Sequence, residues 1–475
     1  MTRDPWLDRA TEWVGHWWLD DDPDQLVPGT LRYDPDDGLQ LHLIGGFEHR
    51  IFRQLSPGVL AQQRGYRSWP VILGLVDNNR KITLLDCLPG GTQMAGLPTP
   101  DSKLVRQNVI ATTALVGAHV DGKDSNVFRS CIVTIENLNQ WSDSSGITCS
   151  LEPFDPEGAV RVQPPGNPSA TVDGTTVTLG HRYLHKDPEP SRGWTIGGVT
   201  ETPYIHLRRE EPISAGTARS LAKAMQDLIS LATHEACAIL SLQLKVASDP
   251  DQQVAVYFKD TVRGHAAAKG AHRYEALFTC HDVPFEEVVH RWWEVRGTFR
   301  AASSMVLGLR YAPARFVEGN LLTAVGAAEA MHRALKIDGP RMPEADFTKL
   351  RATLLDHTPE EHRAWVKSAI RNQPDLRDRL RALAGRPDQA AMAALVPNLE
   401  RWADVATVAR NSLAHEGHTP KHSLEELSTT VRVTTAVVLL NLLHALGISP
   451  ERQREIVRDH PQLSYTADQA REILA

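Results

Sequence analysis

The chain has 475 residues, 41% hydrophobic and 23% charged, with a formal net charge of −7. Such a length exceeds one ordinary core and implies two or three domains, and the composition excludes a disordered or fibrous chain. From Ala301 onward 22 Lys and Arg face 21 Asp and Glu, so that portion is near +1 and the first 300 residues carry about −8. A whole-molecule polyanion surface is thereby excluded, and any nucleic acid has to be held by a local patch.

The stretch from Met1 to Asp24 has recurrent acidic residues and no apolar run of the kind a secretory leader needs. The five cysteines, Cys87, Cys131, Cys149, Cys237 and Cys280, show no ligand spacing and read as small core hydrophobes of a reduced, intracellular protein. A cytoplasmic location is expected.

Up to about residue 283 the texture is that of an antiparallel sheet. Short β-prone runs, Leu39–Ile44, Val71–Val76, Lys81–Leu85, Val127–Ile135 and Val254–Phe258, are separated by Gly, Pro, Asp and Asn clusters. One helix interrupts them: Ser214 is a candidate N-cap, followed by Leu221, Met225, Leu228, Ile229 and Ala232 at helical spacing.

Beyond Pro284 every long pattern is helical. Phe285–Ala301 reads as a connecting helix, and Phe316–Lys336 carries Leu321, Ala324, Ala328, Met331 and Leu335 on one stripe. Thr358-Pro359-Glu360-Glu361 predicts a capped helix start with acidic residues against the dipole. Leu399–His415 and the very apolar Ser423–Leu446 follow, and Ser449-Pro450-Glu451 opens a final short segment. The apolar run Val433–Ile448 is broken by Thr434, Thr435, Asn441 and His444, so it reads as a core helix and not a membrane span. The expected fold is α+β and multidomain: a strand-rich domain over 1–283, antiparallel β plus a helix, and an all-α bundle over 284–475.

Chemistry concentrates in the helix ending at His415. Leu399, Trp402, Ala406, Ala409 and Leu413 form its core stripe, while Glu400, Asp404, Thr407, Asn411 and His415 fall on the other side. Asn411 and His415 lie one turn apart, whereas Arg410 lies roughly 140° around from His415. Arg410 and His415 therefore meet only if the helix loosens at Glu416-Gly417, if Arg410 reaches around, or if a second copy of the helix completes the site.

In the last helical turn the carbonyl end of the dipole favours a cation, which suits an imidazole that exchanges a proton near neutrality. A guanidinium can grip phosphate oxygens in a two-pronged fashion. The pair suits cleavage of RNA through its own 2′-hydroxyl: His415 moves the proton, Arg410 stabilises charge on the phosphorane, and Asn411 orients the imidazole or the phosphate. That chemistry requires no metal or other cofactor. The plain alternative is an exposed polar helix end closed by a histidine.

His415, His418 and His422 have the look of a zinc site, but Gly417 and Pro420 break the helix on which such spacing would converge, so loop histidines are expected. His181 and His185 share a strand face and read as ordinary histidines. Glu329 interrupts the apolar side of its helix and either faces the cleft to orient Arg410 or serves as a rim salt-bridge partner. Trp17, Trp18, Trp292 and Trp293 lack interleaved basic residues and read as packing, not base stacking. No GxxxxGK[ST] string exists, so a P-loop nucleotide hydrolase is not indicated.

The string Arg410-Asn-Ser-Leu-Ala-His415-Glu-Gly, late in a helical bundle and ahead of a long apolar helix, resembles the HEPN superfamily motif, and the C-terminal half resembles the Apea-like HEPN group. Gly326-Ala-Ala-Glu-Ala-Met-His-Arg333 looks like that group's first core helix. The N-terminal half resembles the ApeA N-terminal domain through Gly15-His-Trp17-Trp18-Leu19, Pro28-Gly29-Thr-Leu31 and Leu41-His-Leu43-Ile-Gly45-Gly-Phe47.

The resemblance implies an anti-phage HEPN endoribonuclease acting by abortive infection, with RNA, tRNA among the candidates, as substrate. It further implies a homodimer or higher homo-oligomer. An uncontrolled ribonuclease would harm its host, so restraint by the N-terminal domain is expected, with a phage-derived trigger sensed there. Arg410, Asn411 and His415 inherit the catalytic roles. The competing expectation is a non-catalytic HEPN scaffold that binds RNA or protein.

Overall fold

The computed structural model describes residues 5–48, 50–56, 59–94, 104–150, 158–264, 275–337 and 339–475. The first four residues of the acidic N-terminal stretch fall outside that set. The chain divides into two compact units, Met1–His290 and Arg291–Ala475.

The first unit is built from antiparallel strands. They are β1 (Thr11–Leu19), β2 (Asp22–Asp34), β3 (Gly38–Ile44), β4 (Arg50–Ser56), β5 (Val59–Tyr66), β6 (Trp69–Val76), β7 (Arg80–Met94), β8 (Leu104–Ala111) and β9 (Thr113–Val116). After them come β10 (Phe128–Ile135), β11 (Ile147–Cys149), β12 (Val160–Val162), β13 (Ser169–Val172), β14 (Thr175–Pro190), β15 (Thr195–Ile213), β16 (Ile239–Val246) and β17 (Gln253–Phe258). The helices of this part are α1 (Leu138–Ser142), α2 (Ala215–Thr233) and the beginning of α3 (Phe285–Thr298).

The main sheet runs β13-β14-β15-β10-β16-β17-β9-β7-β6-β1-β2-β3-β8, and β8 also pairs with β7. That second pairing closes β7, β6, β1, β2, β3 and β8 into a barrel, which removes two sheet edges. Strand β7 is long enough to serve both halves: Ile82–Leu85 pair with β9, whereas Leu88–Met94 pair with β8. Alternation along the barrel strands sends Trp17, Leu31, Leu41, Ile72 and Leu84 inward, all fully buried. Trp17 donates its indole N–H to the Gly29 carbonyl at 3.2 Å. Its ring occupies the space over Gly74, where a Cβ would lie 2.4 Å from the ring carbons.

The three N-terminal motifs sit side by side on β1, β2 and β3, with Gly15 opposite Gly29 and Gly29 opposite Leu43. On the open half of the sheet α2 packs across β10, β15 and β16. Its N-cap is Ser214, whose hydroxyl accepts from the Thr217 N–H at 3.2 Å. Its buried face includes Ala218, Ala222, Met225, Leu228, Ile229 and Ala232.

The second unit is helical: α4 (Arg300–Tyr311), α5 (Val317–Leu335), α6 (Glu344–Asp356), α7 (Glu360–Ala369), α8 (Leu376–Ala384), α9 (Gln389–Leu395), α10 (Leu399–Glu416), α11 (Leu424–Ala445), α12 (Pro450–Asp459) and α13 (Pro461–Ile473). At its centre is α11, opened by a Ser423/Glu426 capping box and packed against α4, α5, α8, α10 and α13. Among the described helices it alone is long and apolar enough to cross a bilayer, but most of it is buried in the bundle, as a core helix requires.

Three local expectations change. The segment Phe285–Ala301 is not one helix, because Phe299 leaves helical geometry and a separate α4 follows. Thr358 caps nothing: its hydroxyl donates back to the Leu354 carbonyl at 2.6 Å, and α7 starts after Pro359 without a side-chain cap. The segment after Ser449 is two helices, since Pro461 starts a new one.

The cysteines form no disulfide. Cys87, Cys131 and Cys237 are buried as expected of core residues, and burial pushes the Cys131 thiol up to about 12. Cys149 departs from that expectation and is exposed on the short strand β11.

Candidate active site on helix α10

Helix α10 is fixed at both ends and along one face. Asn398 caps its start by accepting from the Arg401 N–H at 3.0 Å. Gly417 ends it with φ 74°, the left-handed conformation that glycine adopts without a Cβ clash, and donates to the Leu413 carbonyl. Trp402, Ala406, Ala409 and Leu413 are buried, as the stripe predicts, and the Trp402 indole N–H donates to Thr434 Oγ1 of α11 at 3.1 Å. That bond fixes the rotation of α10 about its axis, and so decides which residues face outward.

The outward residues include the motif. Asn411 and His415 are exposed, and Arg410 lies at the rim with 35% of its side chain exposed. Arg410 Nη1 donates to Asn411 Oδ1 at 3.2 Å, and Arg410 Nη2 approaches Glu329 Oε2 of α5 at 3.5 Å. Glu329 is only 15% exposed and also lies 3.8 Å from Arg379 Nη1 of α8 and 4.0 Å from Arg333 Nη2. Glu329 thus contacts Arg410 and is at the same time an ion-pair partner of Arg379 and Arg333. Within one chain the structure joins Arg410, Asn411 and Glu329 and leaves His415 apart, with no hydrogen bond or ion pair among the described residues.

Of the three routes that could bring His415 to Arg410, loosening of the helix is not observed, because α10 continues through Glu416. Reach-around is not observed either, since the guanidinium is turned to Asn411 and Glu329.

His418 and His422 diverge from His415. His418 Nδ1 meets the Glu416 carbonyl at 3.0 Å, whereas His422 is turned toward Glu426 at 3.8 Å. Among the described residues no three or more His, Cys, Asp or Glu gather as a metal-binding group.

On β14, His181 is nearly buried and its Nδ1 comes within 2.9 Å of Glu201 Oε1 without hydrogen-bond alignment, while His185 is exposed. Trp17 and Trp292 are buried, and Trp18 packs edge-on against His119.

The sequence reading missed Arg379. It lies on a helix of nine residues whose capping box, Asp375 with Asp378, and apolar Leu376, Leu380 and Leu383 were the available signals. Arg333 belonged to a string already singled out, but nothing in its spacing marked it as a partner of Glu329.

Two family models match the chain. The ApeA N-terminal domain 1 matches residues 12–292, over half of the chain, and the Apea-like HEPN model matches residues 322–452. The second match contains Glu329, Arg379, Arg410, Asn411 and His415. No curated protein and no solved structure matches the chain. The chain belongs to the ApeA family, with an ApeA N-terminal domain followed by an Apea-like HEPN domain.

Proposed function

We propose that the protein is an endoribonuclease of anti-phage defence whose chemistry is performed by Arg410, Asn411 and His415 without a metal ion. HEPN domains are generally ribonucleases that bind RNA and often dimerise. The observation that carries the reading is the placement of the motif: an anchored guanidinium, bracketed by Asn411 and Glu329, on the same helix as an exposed imidazole.

RNA carries its own nucleophile. His415 as base takes the proton of the 2′-hydroxyl, the 2′-oxygen forms a bond to phosphorus, and the bond to the 5′-oxygen breaks. The departing oxygen takes its proton from solvent water, and the proton held by His415 returns to solvent. The products are a 2′,3′-cyclic phosphate and a 5′-hydroxyl. Arg410 stabilises the charge that builds on the phosphorane oxygens, where a fixed guanidinium is worth more than a solvated one. Asn411 holds the Arg410 fork in place.

Because Arg410 is turned toward α5 in its own chain, we assign completion of the site to a second copy of α10, so the active form is a dimer with two chains lining one cleft. Cleavage of tRNA or another RNA of the translation machinery, ending in abortive infection, is the biological outcome that suits this chemistry. The N-terminal domain then acts as sensor and restraint.

The test is cleavage of bulk cellular RNA in excess chelator by the full chain, Arg410→Ala and His415→Ala, with folding checked by circular dichroism. Chelator-resistant cutting lost in both variants supports the reading. Equal cutting by all three proteins places the activity elsewhere, and RNA binding with no cutting, even with phage lysate present as trigger, favours the scaffold alternative.

A further inference from the structure

Three guanidiniums share a single carboxylate at the candidate site. Glu329 Oε2 faces Arg410, and Glu329 Oε1 faces Arg379 at 3.8 Å and Arg333 at 4.0 Å. Neighbouring arginines are balanced differently: Arg377 pairs with Asp404, and Arg381 pairs with both Asp378 and Glu400. Arg379 has no other acidic partner among the described residues. Its contact with Glu329 is longer than a hydrogen bond, and its buried Nε has no hydrogen-bond partner there.

The excess charge is not spread over open solvent. Arg379 is 20% exposed and Glu329 15%, while Arg333 is 66% exposed and marks the outer rim. Helix α8 packs against both α5 and α10, so Arg379 is carried to the same carboxylate as Arg410 from a third element. Positive charge that exceeds its counter-charge in a half-buried setting costs free energy unless an anion joins it. A planar fork with free donors suits a phosphodiester oxygen.

We propose that Arg379 is a second guanidinium that grips the RNA backbone, beside the phosphodiester held by Arg410. The inference rests on the ribonuclease reading above and adds a substrate-binding residue from outside the motif. In the free protein Glu329 holds both forks in place. When RNA binds, Arg379 turns its unused donors to a phosphate oxygen, while Arg410 remains with the reacting phosphate.

The test is binding of fluorescein-labelled bulk tRNA, followed by anisotropy across a salt series, with the full chain carrying His415→Ala so that RNA is not cut. Adding Arg379→Ala is expected to weaken binding about five- to tenfold and to lower the slope of log K against log salt by about 0.7–0.9, as loss of one phosphate contact requires. Adding Arg379→Lys keeps a cation and is expected to keep the slope. Unchanged affinity and slope in the alanine variant overturn the inference. So does a lower melting temperature with an unchanged slope, the signature of a structural pair with Glu329. Should the alanine variant lose its helical signal, Arg379→Gln is compared with Arg379→Lys by the same criteria.

The two readings fail separately. If Arg410→Ala and His415→Ala still cut RNA, the ribonuclease reading fails, and the binding series is read on 2′-O-methylated RNA, which lacks the attacking hydroxyl. If both lose cutting and Arg379→Ala binds as before, only this inference fails.

Discussion

Replacing Glu329 by Gln removes the charge that holds Arg410 while preserving the side chain's shape. The pair is held at 3.5 Å with the carboxylate 15% and the guanidinium 35% exposed, so both partners retain some water. Such a pair contributes about 1 kcal/mol to stability, well below the several kcal/mol of a fully buried one. The helical unit is then expected to melt about 2–4 °C lower.

The catalytic effect should be larger. A guanidinium displaced by about 1 Å costs up to about 100-fold in rate, so a fall in kcat of about 10- to 100-fold is expected, or about 1.4–2.8 kcal/mol. Affinity for RNA should rise slightly, because a negative charge beside the phosphate has gone. The assay is single-turnover cleavage of labelled RNA in chelator, with affinity measured separately. A kcat equal to that of the parent, when Arg410→Ala is inactive, would refute the role of Glu329 in positioning Arg410.

Two further outcomes follow from the packing and the charges. Thr434→Val leaves the fully buried Trp402 indole N–H without its acceptor and is expected to cost about 1–3 kcal/mol, read by denaturant titration; a loss near zero would mean that the bond does not fix α10. In the N-terminal unit, burial of Glu201 opposes ionisation, but bonds from Ser145, the Gly146 N–H and Tyr183, together with the nearby His181, outweigh it and hold the carboxyl below its ordinary 4.5. A depressed folded-state value adds stability above about pH 4.5 that is lost as pH falls through that lower value, so Glu201→Gln should flatten the acid limb of the stability curve. An unchanged acid limb would contradict the assignment.

Much of the fold was legible because burial writes period into sequence. The run Leu39–Ile44 alternates as a barrel strand must, and Trp402, Ala406, Ala409 and Leu413 of the stripe on α10 are buried, whereas Leu399 is only partly so. Barrel closure was not legible, because it depends on β7 pairing with β8 over one stretch and with β9 over another, and local pattern cannot report partners. On the outer part of the β14–β15 hairpin only the strand face shared by His181 and His185 was legible, since Leu184–Pro190 are all exposed and no buried face imposes alternation.

At the site, Arg410, Asn411 and His415 stood out through fixed spacing on one helix. Glu329 stood out because a charge interrupted an apolar stripe. Arg379 reaches the same carboxylate through tertiary packing alone. A residue whose meaning depends on a contact between α8 and α5 leaves no periodic trace in the chain.

The most direct measurement mixes two inactive proteins. Arg410→Ala and His415→Ala chains are combined under conditions that exchange subunits, and RNA cleavage is followed in excess chelator. If arginine and histidine from different chains serve one phosphodiester, half of the sites in each mixed dimer are intact, and full exchange restores about a quarter of parental activity. Absence of any recovery, with subunit exchange verified, would contradict the account that two copies of α10 together make the active site.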